Sequence, residues 1–246
     1  MLDSVHVVLG GTGGIGAALC RRLAARGARV VVAARNPQRV RELAAALDAV
    51  PMPLDATCPG AVERCLVHVG ETLGRVDGVA NCVGSILLKP AHLTCDDEWS
   101  TTIAQNLTTA FATVRAAART MSRTGGSVVL VSSAAARLGL ANHDAIAAAK
   151  AGVAGLARAS AASYAARGIR VNCVAPGLVR TPLTERLTSN DAALKASIAM
   201  HPLGRIGEPD EVAAAIEWLL DPAQQWVTGQ VLGVDGGLAT VRSRVG

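Results

Sequence analysis

From end to end the chain alternates short β-branched runs with longer alanine-rich stretches. Strand candidates fall at residues 5–9, 29–33, 50–54, 78–81, 127–132, 170–175 and 231–234. Most are apolar at every position, as parallel strands covered by helices on both faces should be. Between them the spacing predicts helices over 15–26, 38–47, 61–73, 99–121, 145–167 and 210–220. Parallel neighbours require crossover connections, so repeats of this kind predict an α/β fold. The expected architecture is a doubly wound parallel seven-stranded sheet in a single domain spanning 1–246.

At 246 residues, half of them hydrophobic and 17% charged, the chain is long enough to bury one sizeable core. No run of 18 apolar residues occurs, so no membrane span is expected. Residues 1–6 enter a strand without a basic, apolar leader, from which a cytoplasmic location is expected. The six cysteines (Cys20, Cys58, Cys65, Cys82, Cys95, Cys173) form no paired spacing and read as reduced thiols. No histidine stands at ligand spacing from a cysteine, so no metal is expected. The net charge of +5 could point to nucleic acid, but the arginines are dispersed and only five aromatic residues are present for stacking. Anionic small ligands account for the excess instead. One segment departs from compact spacing: residues 178–208, rich in Thr, Pro and Gly, are expected to form a mobile substrate lid beside the strand ends.

The first strand runs into Gly10-Gly11-Thr12-Gly13-Gly14-Ile15-Gly16 and then a helix. Glycines permit a tight turn and let backbone amides approach a pyrophosphate at the helix N-terminus. Alone such a loop is a turn; between a first strand and a helix it marks the dinucleotide site of a Rossmann fold. A carboxylate at the end of the second strand would accept hydrogen bonds from the adenosine ribose and repel a 2′-phosphate. Ala34 stands there and Arg35 follows, a guanidinium suited to phosphate, so NADP(H) is expected over NAD(H). The alternative is a solvated loop arginine. Asp55, past the third strand, is placed either to accept from the adenine amino group or to cap a helix.

With these pieces in order the chain resembles the short-chain dehydrogenase/reductase family, and within it the bacterial beta-ketoacyl-carrier-protein reductase-like members. Gly10, Gly14 and Gly16 match the family's glycine loop, whose leading threonine is here Leu9. Asp77–Gly84 matches its Asn-Asn-Ala-Gly strand, with Asn81 present and Cys82 and Val83 departing from the pattern. Pro176, Gly177, Thr181 and Pro182 match the segment that contacts the nicotinamide carboxamide, and Val234-Asp235-Gly236-Gly237 the end of the sheet. The resemblance implies that Ser133 hydrogen-bonds a substrate carbonyl, Lys150 holds the nicotinamide ribose, and Asn106 organises water behind Lys150. It also implies a homotetramer or homodimer. The plain readings are a strand-end serine capping backbone and a solvated helix lysine.

The family's tyrosine, four residues before the lysine, is here Ile146. Isoleucine can neither donate nor accept a proton, and general acid–base help is worth about 10²–10⁴-fold, or roughly 2.7–5.4 kcal/mol. Tyr164, the sole tyrosine, is eighteen positions along the same helix, ~27 Å away. His143, three residues before Ile146, could share a helical face with Ile146 and Lys150, and imidazole is a competent proton donor. Alternatively His143 and Asp144 start the helix with Asn142 as N-cap. Two functions are therefore expected. One is an NADP(H)-dependent reductase of a small carbonyl, quinone, enone or imine-type molecule. The other is a catalytically silent NADP(H)-binding sensor or partner protein. An isomerase or dehydratase on the same scaffold is a third.

Overall fold

Strand β1 (Val5–Leu9) lies inside a sheet whose every pairing is parallel. The structure is a computed structural model and describes residues 1–242. After β1 come α1 (Gly14–Ala25), β2 (Arg29–Ala34), α2 (Pro37–Leu47), β3 (Val50–Pro53), α3 (Ala61–Leu73) and β4 (Gly78–Asn81). They are followed by α4 (Asp96–Ile103), α5 (Thr109–Thr120), β5 (Gly126–Val131), α6 (Asp144–Tyr164) and β6 (Ile169–Pro176). The chain then forms α7 (Glu185–Thr188), α8 (Asp191–Met200), α9 (Pro209–Leu220) and β7 (Val231–Val234). Strand order is β3-β2-β1-β4-β5-β6-β7, the doubly wound sheet expected from the alternation. Winding reverses between β1 and β4, which leaves a crevice beyond their carboxyl ends. The register puts Leu9 opposite Asn81, so the glycine loop and the loop after β4 leave the sheet side by side.

Alternation along each strand divides the core in two. Val5, Val7 and Leu9, with Val79, Val128 and Leu130, pack against Leu66, Val114 and Val153 of α3, α5 and α6. Val8, Val30, Val32 and Val129 face the other way, onto Leu19, Leu23, Val40 and Ile216 of α1, α2 and α9. Full burial of each such side chain contributes about 1.5–3 kcal/mol.

One expected helix differs in detail. The stretch predicted over 99–121 begins at Asp96, because the Glu98 carboxylate accepts from the Cys95 backbone N–H at 3.0 Å and closes a capping box. It is then interrupted by a π-helical turn, Ala104–Thr108, centred on Asn106. Residues 178–208, expected as a lid, carry a 3-10 turn (Pro182–Thr184), α7 and α8.

His6 is the one polar side chain on the core face of β1, and it is buried. The Ser4 hydroxyl donates to the Met1 carbonyl at 2.6 Å, so it accepts from His6 Nε2–H at 2.9 Å. His6 Nδ1 then has no partner among the described residues and rests on Gly78, where a Cβ would lie 2.3 Å away. Burial pushes the imidazole down from 6.5 to about 4. The folded state therefore holds this proton less well than the unfolded state. Its stabilising effect is complete above pH 6.5 and fades as pH falls toward 4, by ~3 kcal/mol. His6→Leu should flatten that part of the stability curve in urea titrations between pH 4 and 7; an unchanged slope would assign the acid sensitivity elsewhere.

Candidate active site

Of the cavities at the carboxyl edge of the sheet, two hold residues singled out in the sequence. The first, about 430 Å3, is lined by Gly10, Thr12, Gly13, Gly14, Ile15 and Gly16, by Arg35 and Arg39 after β2, by Asp55, and by Thr181. Its floor is set by close backbone approach. A Cβ at Gly16 would lie 2.3 Å from the Gly10 carbonyl oxygen, and one at Gly10, whose φ is +74°, 2.8 Å from the Cys82 carbonyl carbon. Gly13 begins α1 without a side-chain cap, which leaves the first N–H groups of the helix open to an anion. Arg39 donates to the Thr12 carbonyl at 3.2 Å and thereby sits beside Arg35 on the cavity wall. The Asp55 carboxylate accepts from Thr57 N and Oγ1 at 2.9 and 2.7 Å. Those bonds, and Arg35 nearby, hold its carboxyl below the ordinary range. The helix-capping role expected as an alternative for Asp55 is not seen, since α3 starts at Ala61 after Gly60.

Asn81 does not line the cavity. It is buried beneath the loop, accepting from Val83 N at 2.9 Å and facing Thr109 Oγ1 at 3.5 Å, so it shapes the wall from behind.

Lys150 and Asn106 stand behind Gly84, which lines this cavity. A Cβ there would be 2.9 Å from Asn106 Oδ1 and 3.4 Å from Lys150 Nζ. The reading of Lys150 as a solvated lysine is wrong: it is buried, Nζ donates to the Val131 carbonyl at 2.9 Å, and burial pushes the ammonium down to about 8. The Ser132 hydroxyl donates to the Lys150 carbonyl at 2.7 Å and pins α6 to the end of β5. Asn106 Nδ2 donates to Thr102 O and Ser85 Oγ at 2.9 and 3.0 Å, and Oδ1 accepts from Ser85 N at 3.2 Å.

The second cavity, about 360 Å3, brings together Ser133, His143, Ile146, Pro176 and Gly177 with Leu187, Met200 and His201 of the segment between β6 and α9. Ser133 Oγ accepts from Ala135 N at 3.2 Å, the capping role weighed for it, and its own proton remains free to donate into the cavity. His143 is the N-cap residue of α6, with φ −108° and ψ 16°, and makes no side-chain cap. It is therefore just outside the helical face on which the spacing placed it. Asn142 is not the N-cap: it has φ +63° and precedes that residue. His143 Nδ1 meets the Ala141 carbonyl at 2.7 Å, which leaves Nε2 as the nitrogen available for exchange. Ile146 is buried in the same wall, one turn before Lys150. Tyr164 ends α6 and packs against the core and the Arg167 guanidinium, 5.7 Å from its ring centre.

His201 was not foreseen from the sequence. It is buried, with Nε2 accepting from Leu178 N at 3.2 Å and Nδ1 donating to the Ser197 carbonyl at 2.6 Å. Both ring nitrogens are occupied, so His201 ties α8 to the residue following Gly177 and is no proton donor. Its local sequence gives no signal, because Leu178 lies 23 residues away.

Residues 10–239 match the protein family described as enoyl-(acyl carrier protein) reductase. The chain is 35% identical over 237 residues to a 3-oxoacyl-acyl-carrier-protein reductase, FabG, of Vibrio cholerae, covering 95% of this chain and 96% of that one. It belongs to the short-chain dehydrogenase/reductase family. A cis-4-hydroxycyclohexanecarboxylate dehydrogenase of Sinomonas cyclohexanicum is 39% identical, with 97% of this chain and 98% of the relative covered. A solved structure of a short-chain dehydrogenase/reductase from Mycobacterium ulcerans superposes with TM-score 0.94 at 32% identity, over 98% of this chain and 92% of the other. An actinorhodin polyketide ketoreductase solved with NADPH gives 0.91 at 30% identity, over 98% and 100%. Short-chain dehydrogenase/reductases bind nicotinamide cofactors and act on small molecules. Among the described residues no helix is long and apolar enough to cross a membrane, and no cluster of three or more metal-ligating side chains occurs.

Replacing His201 strands two backbone groups, each worth about 1–3 kcal/mol when unpaired and buried. His201→Leu is expected to lower the thermal midpoint and to speed protease cleavage within residues 178–208. Cleavage at the native rate would mean that other contacts hold the segment.

Proposed function

We propose that this chain is an NADP(H)-dependent oxidoreductase for a small carbonyl, quinone, enone or imine-type molecule, working without a tyrosine general acid. One observation carries the reading: Ser133 keeps a hydroxyl proton free to donate into the second cavity, near the buried Lys150 that stands behind the glycine-lined one, with Ile146 in the wall. The glycine cradle, the uncapped start of α1 and the Arg35–Arg39 pair fit a phosphorylated dinucleotide, and no carboxylate occupies the end of β2. When bound, such a cofactor supplies a hydride, two electrons with one proton, to an electrophilic carbon.

This chain's residues would then do the following. Gly10 to Gly16 and Arg35 hold the phosphates, and Asp55 faces the adenine end. Lys150 presents its remaining N–H donors to the ribose, with Asn106 holding the loop behind it. Pro176, Gly177 and Thr181 border the nicotinamide end. Ser133 donates to the substrate oxygen and draws charge onto it. A second proton, which the family's tyrosine would deliver, must come to that oxygen from His143 or from water. Conjugated or cationic acceptors, whose reduced products collect protons from solvent, fit best. Residues 178–208 cover the substrate. The exposed Trp99 and Phe111 on α4 and α5, and Leu232 on β7, favour a homotetramer or homodimer built on these faces, in the cytoplasm. The apolar wall at Ile146 equally favours a second reading, a catalytically silent NADP(H)-binding sensor or partner protein.

Turnover of NADPH with ketones, quinones and imines separates the two. The adjoining cavity has room for a phenol, so Ile146→Tyr should raise ketone reduction by about 10²–10⁴-fold. Binding of NADPH with no gain in any variant would support the silent protein. His143→Ala should slow whatever the native chain reduces, and an unaltered rate leaves water as the donor. Arg35→Ala should weaken NADPH by roughly tenfold, about 1.4 kcal/mol, with NADH little changed. Equal losses for both would overturn the 2′-phosphate assignment.

A further inference from the structure

The second cavity has an uncharged wall. Its apolar surface comes from Ile86, Leu140, Leu178, Leu187, Met200 and Leu238, and among the described residues no Lys, Arg, Asp or Glu lines it. Nearby cations are directed elsewhere. Lys150 Nζ bonds to the Val131 carbonyl, Lys89 pairs with Glu98, Arg180 and Arg205 pair with Glu208 and Glu211, Arg137 lies against Gly233 of β7, and Arg186 and Lys195 on α7 and α8 are exposed.

The polar wall groups are also largely committed. His201 uses both ring nitrogens, and Thr184 Oγ1 bonds to the Val179 carbonyl at 2.5 Å. Ser133, His143 and Ser197, whose hydroxyl makes no bond among the described residues, remain as the groups able to anchor a ligand, and all are formally neutral. A carboxylate or phosphate placed against the inner wall, at Ile146, Leu178 and Leu187 rather than at the exposed rim of Ile86 and Met200, would lose its hydration with no cation to replace it. Removing a charge from water without compensation is among the strongest discriminating effects a site can apply. At about 360 Å3 the cavity also lies near the small end of ligand sites, which run from roughly 300 to 1,000 Å3.

We propose that this cavity selects small, uncharged carbonyl compounds, anchored at Ser133 with an apolar body against the lid, and rejects their carboxylate-bearing counterparts. The proposal rests on the oxidoreductase reading for the place of the carbonyl. It separates this chain from its relative named for a cyclohexanecarboxylate, whose substrate carries the group that this wall cannot pair.

The test compares 4-oxocyclohexanecarboxylate with its methyl ester, two ligands of one shape that differ in charge. Binding of each to the full chain saturated with NADP+ is measured by calorimetry, so that no turnover is needed. The ester should bind at least tenfold tighter than the acid. Met200 is 46% exposed, so a charge is tolerable there, and Met200→Arg should bring the acid to within about threefold of the ester. Equal binding, a preference for the acid, or no binding of either ligand to the NADP+-loaded chain overturns the proposal. Failure of Met200→Arg and of Leu187→Arg to recover the acid overturns the missing-cation explanation. Binding of NADP+ is measured first and read separately. Its absence overturns the oxidoreductase reading and this proposal together, whereas its presence with any of the failures above overturns the proposal alone.

Discussion

The carboxyl edge of this sheet depends on how closely α1 approaches the end of β1. That approach is a contact between backbones: Gly16 against the Gly10 carbonyl, and Gly10 against Cys82 and Val83. A single methyl group at either position would push the helix away from the strand. With the helix seated, its uncapped amides and the loop after β4 enclose one space, and Thr181 packs on Gly14 from the lid side, where a Cβ would be 2.6 Å from the threonine methyl. The first cavity follows from main-chain geometry more than from any side chain. That explains why it tolerates Leu9, Cys82 and Val83 where the family has other residues.

The second constraint is the clamp between β5 and α6. Val131 accepts from the Lys150 side chain while Ser132 donates to the Lys150 backbone, so strand and helix are joined at both ends of one residue. The clamp places the buried ammonium behind Gly84 and turns the preceding helical turn, with Ile146, toward Ser133. Asn106 completes the arrangement from the opposite helix. The π turn displaces it from regular α-helical phase, and its amide is fully engaged by Ser85 and Thr102.

Much of this was legible in the chain. The strands and most helices are readable because strand burial and helical spacing are local patterns, and the glycine loop because its context is local too. What escaped was non-local. A continuous helix was expected across Asn106, since no proline or glycine marks the π turn, and its partner Ser85 is 21 residues earlier. Asn81 was expected to touch a ligand yet lies under the loop, a difference of one layer that residue identity does not encode. His143 was placed on a helical face but stands just ahead of it, where dihedral angles rather than periodicity decide. His201 depends wholly on a backbone amide that only the folded chain brings near.

These separations bear on what isoleucine at 146 changes. The position of Lys150 is set by Val131 and Ser132, and its weakened hold on a proton by burial; neither depends on the side chain one turn earlier. The glycine cradle is farther still, held by contacts among Gly10, Gly16 and the β4 loop. On the proposed reading, an isoleucine in place of a phenol in this wall would leave the nucleotide side intact and act within the second cavity. There it takes away a hydroxyl that would itself need a partner when buried. What remains is a largely apolar wall with Ser133, His143 and Ser197 as its free polar groups. Under the proposed function, an isoleucine that cannot deliver a proton also makes the space less hospitable to charge, so both consequences would act on the choice of substrate and not on the choice of cofactor.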